Sequence, residues 1–290
     1  KKREVPICLA NARLSDKSRR GYRRFGFLFQ EHFSAFRAVG APTIADVGRL
    51  CDIGCRDEVI EMTGNMKFDG ASNNLDRKLD VPALLRRLGA VKDAPVLVGG
   101  STHEGEERLL AEMFPRLKEH CPGLMLVLVP RHFERARAVG ELLRTLGQRF
   151  VFRSELTDES GADCLVVDST GELMLFYEAA SVVFVGKSLT ARGGQNPIEP
   201  ASLGRAIVFG PEMQNFRAVV RSLLEEDAAV QVADAAELEN TITELLKDSE
   251  RRNAQGARAQ AVVKANKGAT QRTAQMTARV LSQLSVDADR

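Results

Sequence analysis

The stretch GGQNPIEPASLG, residues 193–204, follows the apolar run SVVFVG and combines two glycines with an Asn-Pro and a Glu-Pro pair. In a parallel α/β sheet such a stretch joins a strand end to a helix amino terminus, where phosphate-bearing ligands collect. Asn196 fits the cap of that helix, Pro197 its first position and Glu199 its third. A capped helix with an acid in its first turn explains the pattern by itself. We favour the functional interpretation, in which the Glu199 carboxylate holds two ribose hydroxyls of a nucleotide.

The loop before this helix carries further groups that bind phosphate. Gly186, Lys187 and Ser188 end the preceding strand, and Gly194 keeps the intervening backbone flexible. An ammonium group, a hydroxyl and free backbone amides are the donors that a phosphate accepts from. Together with Glu199, these residues predict a nucleotide site at this strand end.

Another strand end has the same character. In PVLVGGSTHEGEE a buried strand runs into two glycines, with Ser101 placed three residues before Glu104. This spacing fits a capping box, in which Ser101 accepts from helix amides and Glu104 reaches back. The alternative is that the hydroxyls of Ser101 and Thr102 and the free amides bind a phosphate or an acidic sugar. The sequence leaves both interpretations open.

Two more strands end in polar residues. LMLVLVPRHFERA places Arg131 and His132 directly after Pro130, and an Arg-His pair at a strand end favours binding of phosphate or carboxylate. In VVDSTGELMLFYEAA a strand is followed by Gly171 and Glu172, which begin a helix whose apolar residues are typical of core. Parallel strand ends meet at one sheet edge, so we expect all these residues to face one cleft.

The elements that position these residues alternate along the chain. Short apolar runs are separated by amphipathic stretches such as HEGEERLLAEMFPRLKEHC, which predicts an α/β fold with parallel sheets covered by helices on both faces. About six strands follow Val81, enough for one doubly wound Rossmann-like domain. Too few strands precede it for a second whole domain of this type.

These patterns predict four segments. Residues 1–66 are expected to be the remnant of an amino-terminal Rossmann-like domain, and the polar residues 67–83 a linker. Residues 84–265 are expected to form the ligand-binding Rossmann-like domain. Residues 266–290 are expected to form the end of a long terminal helix that packs against the early segment, followed by a frayed tail.

Composition excludes several classes of function. A net charge of +2 over 290 residues indicates no nucleic-acid partner, and the apolar runs are too short to span a bilayer. Residues 1–24 nevertheless contain nine basic and two acidic side chains. Such a cluster suits either anionic lipid or phosphate, or simply a solvated helix face.

The cysteines indicate reduced thiols in the cytosol. There are five, an odd number, and three lie in or beside apolar runs. Cys51 and Cys55 are four residues apart, so a helix could place both on one face. Because structural zinc normally has four ligands and no second Cys or His pair stands nearby, we expect no metal site.

Seven motifs, in this order, resemble the 3-deoxy-D-manno-octulosonic acid (Kdo) transferases of lipopolysaccharide synthesis. They are NARLSDKSRRGYRR, TGNMKFD, GGSTHEGEE, VPRHFERA, GELMLFYEAASVVFVGKSL, GGQNPIEPASLG and FGPEMQNF, and they extend from about residue 5 to residue 216. The resemblance implies a glycosyltransferase of the GT-B type, built from two Rossmann-like domains.

The resemblance also implies a donor, an acceptor and a location. The donor would be CMP-Kdo and the acceptor a lipid A precursor at the cytoplasmic face of the inner membrane, with the enzyme peripheral to that membrane. Transfer would be inverting and would need neither metal nor cofactor. Carried over residue by residue, the donor site comprises Ser101, Thr102, Pro130, Arg131, His132, Gly171, Glu172, Gly186, Lys187, Ser188, Gly194, Asn196 and Glu199.

The chain departs from the family pattern in two respects. Phe133 stands where the family usually has proline, which we expect to alter the turn and nothing else. The glycine-rich stretch that carries the family's proposed general base, a glutamate, has no counterpart here. We therefore expect the catalytic base to lie in an amino-terminal part that this sequence does not include, and the present chain to be inactive by itself.

Two other functions stay open at this point. The chain could be a nucleotide-binding domain without catalytic activity, or a related GT-B protein that uses another nucleotide sugar, such as a UDP-sugar epimerase. An upstream domain with a glutamate facing the cleft would favour the transferase over the first alternative. A preference for uridine diphosphate would favour the second.

Overall fold

The computed structural model describes residues 5–70, 79–157 and 161–288. It divides into two compact units. Unit 1 comprises Lys1–Ala71 and Ala265–Arg290, and unit 2 comprises Ser72–Lys264. The middle of the predicted linker, residues 71–78, lies outside the described residues, while its described ends are helical: a 3₁₀ helix covers Met66–Gly70 and an α-helix starts at Val81.

Strands and helices are numbered along the chain. Unit 1 contains β1 (Cys8–Leu9), α1 (Asp16–Arg24), α2 (Gly26–Ser34), β2 (Ala38–Ala41), α3 (Ile44–Cys51), β3 (Ile60–Met62) and α12 (Ala269–Ala288). Unit 2 contains α4 (Val81–Arg87), β4 (Val96–Thr102), α5 (Glu106–His120), β5 (Met125–Pro130), α6 (Ala136–Thr145), β6 (Phe150–Phe152), β7 (Cys164–Val166), α7 (Leu173–Ala179), β8 (Val182–Val185), α8 (Ile198–Ser202), β9 (Ala206–Phe209), α9 (Arg217–Glu225), β10 (Val230–Gln231), α10 (Ala235–Lys247) and, across the boundary between the units, α11 (Ser249–Asn266).

Unit 1 is built on a parallel sheet of three strands in the order β1-β2-β3. The central strand β2 reads AVGA and all four residues are buried. Its Gly40 is needed by close packing, because a Cβ there would lie 2.8 Å from the Thr63 hydroxyl oxygen and 3.5 Å from the Met276 methyl carbon. Met276 and Val280 of α12 pack with Ala38 in one buried cluster, so the terminal helix covers this sheet.

Unit 2 is built on a fully parallel sheet of seven strands in the order β10-β9-β8-β4-β5-β7-β6. β4, β5, β8 and β9 are almost completely buried, as expected for parallel strands with helices on both faces. This confirms the α/β fold class. The sequence predicted about six strands here, and the seventh, β10, was missed because two half-buried or exposed residues make no apolar run.

The strand order locates the place where a ligand is expected. From β4 the chain first builds the β5 side of the sheet and then returns to β8 on the other side of β4. The carboxyl ends of β4 and β8 therefore form the topological switch point, the place in a parallel sheet where ligands are expected. Register pairs Gly99 of β4 with Leu128 of β5 and with Phe184 of β8, which brings the three strand ends level.

The predicted single terminal helix is two helices, α11 and α12. The break falls at Gly268, whose φ of +89° is left-handed. Asp69 accepts hydrogen bonds there from the Gly268 amide at 2.7 Å and the Thr270 amide at 2.6 Å. Burial opposes ionisation of Asp69, but these bonds outweigh it and lower the pKa of the carboxyl. The ionised Asp69 thus stabilises the amino terminus of α12.

Candidate functional site

The loops after β4 and β8 meet backbone to backbone at the switch point. The Gly186 amide donates to the Gly100 carbonyl at 2.9 Å. A Cβ on Gly186 would lie 2.4 Å from the Ser101 carbonyl oxygen, so a larger residue here would force the two loops apart. Ser101 and Lys187 both have left-handed backbones, with φ of +51° and +55°. The two loops are therefore tightly shaped before any ligand arrives.

Glu106 ties these loops together. Its side chain is fully buried, and its carboxylate accepts from the amides of His103 at 2.9 Å, Lys187 at 2.8 Å, Ser188 at 2.9 Å and Leu189 at 3.1 Å. The sequence analysis did not select this residue. Its signal was the first glutamate of the GEE motif, which lies about one helical turn after the strand end.

The predicted capping box at Ser101 and Glu104 is wrong. Helix α5 begins at Glu106 with Gly105 as its cap, at φ of +90° and without a side-chain hydrogen bond to the helix. Glu104 is exposed, and its carbonyl accepts from the Thr190 hydroxyl at 2.8 Å. The helix starts later than the spacing predicts because β4 extends to Thr102 and the loop after it turns at the left-handed Gly105.

The end of β5 lies beside the end of β4. Pro130 pairs in register with Thr102, and the Arg131 amide donates to the Thr102 carbonyl at 3.0 Å. The side chains of Arg131 and His132 are exposed at this edge. The Thr102 side chain is fully buried, and its hydroxyl has no hydrogen-bond partner among the described residues.

His103 is a second residue that the sequence analysis missed. Its ring lies 6.2 Å from the ring of His132, and Nδ1 is 3.2 Å from the Ser101 carbonyl oxygen. Burial lowers the pKa of His103, and the nearby Lys187 charge acts in the same direction. The imidazole is therefore neutral at pH 7. Arg131, Lys187 and the two histidines form a donor-rich surface around the switch point.

Asn196 and Glu199 act as a pair at the start of α8, which begins one residue after the predicted position. Asn196 accepts from the Ile198 amide at 3.1 Å and donates through Nδ2 to Glu199 at 3.1 Å. Burial raises the pKa of Glu199, although the Asn196 hydrogen bond and the positive charge of Arg131 favour its ionised form. The hydroxyl of Tyr177 has a pKa raised by its own burial and by the charge of Glu199. The Asn196 side chain is thus the hydrogen-bond partner of the Glu199 carboxylate.

Ser188 and Gly194 shape the loop after β8. The Ser188 hydroxyl donates to the Val185 carbonyl at 2.6 Å and accepts from the Gly210 amide at 2.9 Å, and the side chain is fully buried. Gly194, at φ of +74°, donates to the Lys187 carbonyl at 2.9 Å. The Ser188 hydroxyl and the Lys187 and Ser188 amides are thus used inside the protein.

Gly171 and Glu172 lie after β7, on the other arm of the sheet. Gly171 is exposed with φ of +84°. Glu172 accepts from Arg153 Nη2 at 3.1 Å and from the Ser169 hydroxyl. Its carboxylate is therefore held by side chains that follow β6 and β7.

A cleft of about 440 Å³ between α4 and α7, lined by Val81, Pro82 and Leu175 among others, contains none of the predicted site residues.

The two cysteines considered for a metal lie at the end of α3. Burial raises the pKa of Cys55 to about 11, and burial together with Asp57 raises that of Cys51. Both thiols are protonated at neutral pH. Within residues 5–70, 79–157 and 161–288, no group of three or more His, Cys, Asp or Glu side chains is arranged to hold a metal ion.

Comparison with known proteins shows similarity to one family. The model of the family described as 3-Deoxy-D-manno-octulosonic-acid transferase (kdotransferase) matches residues 1–70. The 3-deoxy-D-manno-octulosonic acid transferase of Haemophilus influenzae is 35% identical over 274 residues, and that of Bordetella pertussis is 32% identical over 278 residues. The chain is thus similar to Kdo transferases over almost all of its own length. Its match covers 93% of this chain in both comparisons, but 63% and 62% of the two relatives.

Solved structures agree with this assignment. The C-terminal CMP-Kdo binding domain of WaaA from Acinetobacter baumannii matches with 28% identity and a TM-score of 0.55, over 62% of this chain and 97% of that domain. Anabaena Alr3699/HepE in complex with UDP matches 96% of this chain and 72% of its own with a TM-score of 0.54, but at 15% identity, which establishes a shared fold and no more. The chain thus has the α/β fold of GT-B glycosyltransferases.

Proposed function

We propose that this chain is the donor-binding part of a glycosyltransferase that moves Kdo from CMP-Kdo to a lipid A precursor. The observation that carries the proposal is the 28% identity with the CMP-Kdo binding domain of WaaA, over 97% of that domain. The geometry of unit 2 supports it, because the ends of β4, β5 and β8 bring cations and a half-buried carboxylate to one switch point. A nucleoside monophosphate offers a phosphate that cations bind and ribose hydroxyls that donate to a carboxylate.

In the proposed site each group has a role. The Glu199 carboxylate binds the ribose hydroxyls, and its hydrogen bond from Asn196 orients it for this contact. Arg131 and Lys187 face the single phosphate, and Ser101, Thr102 and His132 line the same edge. Gly186 and Gly194 allow the close packing of the loops that shape the site, and Gly171 with Glu172 closes the β7 side.

The proposed reaction is an inverting displacement. A sugar hydroxyl of the acceptor attacks the anomeric carbon of Kdo, the bond from that carbon to the phosphate oxygen breaks, and CMP leaves. The hydroxyl proton passes to a carboxylate base that we assign to no residue of this chain. Positive groups at the cleft stabilise the charge that develops on the leaving phosphate. CMP-Kdo has one phosphate and so no pyrophosphate for a metal to bridge, which fits metal-independent transfer.

Calorimetric titration of the chain with CMP, CDP and UDP tests the donor site. We expect selective binding of CMP, and a loss of about tenfold or more in affinity for Glu199→Ala and for Arg131→Ala, because each removes a charge-assisted contact. Arg116→Ala is the control, since this exposed arginine pairs with Glu239 on the helix surface. Selective UDP binding would favour another nucleotide sugar. A folded chain that binds none of the three would contradict the proposal.

We also propose that unit 1 docks on anionic lipid, which would place the enzyme at the cytoplasmic face of the inner membrane. Helices α1 and α2 support this. Phe25, Phe27 and Leu28 are exposed to 48%, 81% and 55%, and exposed basic side chains of α1 adjoin them: Lys17, Arg20, Arg23 and Arg24. Apolar side chains flanked by cations are typical of interfacial binding. Among the described helices, none is both long and apolar enough to cross a bilayer.

Sedimentation with phosphatidylglycerol and with phosphatidylcholine vesicles tests this surface. We expect binding to the anionic vesicles and a several-fold loss for the double variant Phe27→Ser, Leu28→Ser. Ile44→Ser is the matched control, because Ile44 is 77% exposed but lies on α3. Equal losses for the control and the double variant would contradict a role for this surface.

A further inference from the structure

Glu106 is a buried carboxylate to which the proposed donor chemistry gives no role. A carboxylate removed from water is unfavourable unless hydrogen bonds replace its hydration. Here four backbone amides do so, and they come from two loops that are more than 80 residues apart in the sequence. No cation is required for this, and helix α5 presents Glu106 at its first position, where an acid is also favourable.

The amides of Lys187, Ser188 and Leu189 form an anion-binding nest. Three successive N–H groups converge on one carboxylate, and the first residue has the left-handed conformation that such nests contain. In phosphate-binding loops a nest of this kind receives the ligand. In this chain the anion is Glu106 itself, so the nest is filled before a ligand binds.

Filling the nest fixes the direction in which Lys187 leaves the backbone. A lysine at φ of +55° is strained, and two hydrogen bonds hold it there: its amide donates to Glu106 at 2.8 Å and its carbonyl accepts from Gly194 at 2.9 Å. The Lys187 side chain runs beside the glycines of the same loop, since a Cβ built on Gly193 would lie 3.7 Å from Lys187 Cε. The Lys187 side chain is thereby held along the loop that follows β8.

We propose that Glu106 is a positioning residue, a built-in anion that occupies the nest after β8 and makes the Lys187 ammonium, in place of the loop amides, the group that meets the phosphate of the ligand. The proposal rests on the donor site described under the proposed function. It assigns to Glu106 an effect on nucleotide affinity that acts through Lys187.

Glu107 supplies a matched control. It is the next residue of α5, its side chain is 2% exposed, and it pairs with Arg135 at 2.8 Å. Glu106→Gln and Glu107→Gln remove the same charge from adjacent buried positions. In Glu106→Gln the side-chain NH₂ group also faces backbone N–H groups, and two donors cannot form a hydrogen bond with each other. We expect CMP affinity of the 290-residue chain to fall about tenfold in Glu106→Gln and less than about twofold in Glu107→Gln.

A double-mutant cycle separates positioning from general destabilisation. We expect Lys187→Ala to weaken CMP binding about tenfold in the wild-type background and less than about twofold in Glu106→Gln, because the ammonium is already misplaced there. Additive losses, or wild-type affinity in Glu106→Gln, would overturn the proposal. If Glu106→Gln does not fold, Glu106→Asp retains the charge on a shorter side chain, and the same cycle applies to it.

Amide hydrogen exchange distinguishes failure of this proposal from failure of the proposed function. We expect the amides of residues 187–189 to exchange at least about tenfold faster in Glu106→Gln than in Glu107→Gln, with the strands unchanged. A folded wild-type chain that does not bind CMP would overturn the donor-site proposal. In that case the exchange rates in Glu106→Gln would test the role of Glu106. Faster exchange confined to the amides of residues 187–189 would support the positioning role, and unchanged protection of these amides would overturn it.

Discussion

Replacing Gly186 by alanine tests whether the β4 and β8 loops are as closely packed as the structure shows. The added Cβ would lie 2.4 Å from the Ser101 carbonyl oxygen, 2.6 Å from Thr102 Cα and 2.7 Å from the Ser101 carbonyl carbon. All three are backbone atoms, which no side-chain rotation can move away. The loops must separate by about 0.6 Å before the nearest contact reaches 3.0 Å.

The expected cost has two parts. Overpacking of a well-packed interior costs about 1–3 kcal/mol. Separation of the loops also weakens the 2.9 Å hydrogen bond from the Gly186 amide to the Gly100 carbonyl, which contributes about 1 kcal/mol. The free energy of unfolding of Gly186→Ala should therefore fall by about 2–4 kcal/mol. CMP affinity of the folded fraction should also fall, since Lys187 moves with the loop.

Urea denaturation followed by circular dichroism measures the stability change, and calorimetry measures CMP affinity. Gly147→Ala is the control. Gly147 has a left-handed φ of +67° but no neighbour within 4 Å of a built Cβ, so left-handed strain of about 1–2 kcal/mol is its whole expected effect. The reasoning is refuted if Gly186→Ala loses less stability than Gly147→Ala and binds CMP like the wild type.

Three further predictions follow from burial and local geometry. Burial raises the pKa of Glu199, so its ionisation destabilises the fold as the pH rises above about 4.5. Glu199→Gln should therefore have a higher melting temperature than the wild type at pH 8, and this difference should disappear towards pH 4. A difference in melting temperature that stays constant with pH would contradict this. Gly21 lies in α1, and a Cβ built on it has no atom within 4 Å. Gly21→Ala should therefore raise the free energy of unfolding by about 0.5–1 kcal/mol, and a lower melting temperature would count against this prediction. Cys55 has a pKa of about 11, so little of it is thiolate at pH 8. In the folded chain it should react with a disulfide reagent about two orders of magnitude more slowly than in the unfolded chain, which peptide mapping of the labelled protein measures.

Much of the fold was predictable because its signals are local. The runs APVLVGG, LMLVLVP and SVVFVG are too apolar and too short to be anything but buried strands, and the structure places β4, β5 and β8 in them. The alternation with helical stretches then predicts parallel sheets. β10 lacks such a run, and the terminal helix is broken by Asp69, whose position far upstream no local pattern reveals.

The site was predictable as a set of strand ends, and less so as a set of contacts. Glycines and polar residues directly after buried strands mark the edge where ligands bind, and Asn196 and Glu199 do interact as a pair. The capping box at Ser101 was wrong because backbone geometry moved the helix start to Glu106.

The sequence by itself determined the alternating elements, the strand ends that carry polar groups and the order of the family motifs. These depend on which residues are neighbours along the chain. Tertiary structure alone decided that Glu106 faces the amides of Lys187 and Ser188, and that the Ser188 hydroxyl is enclosed while the Arg131 side chain is exposed. Such contacts depend on strand order and register, because hydrogen bonds act over about 3 Å and join loops that are distant in sequence.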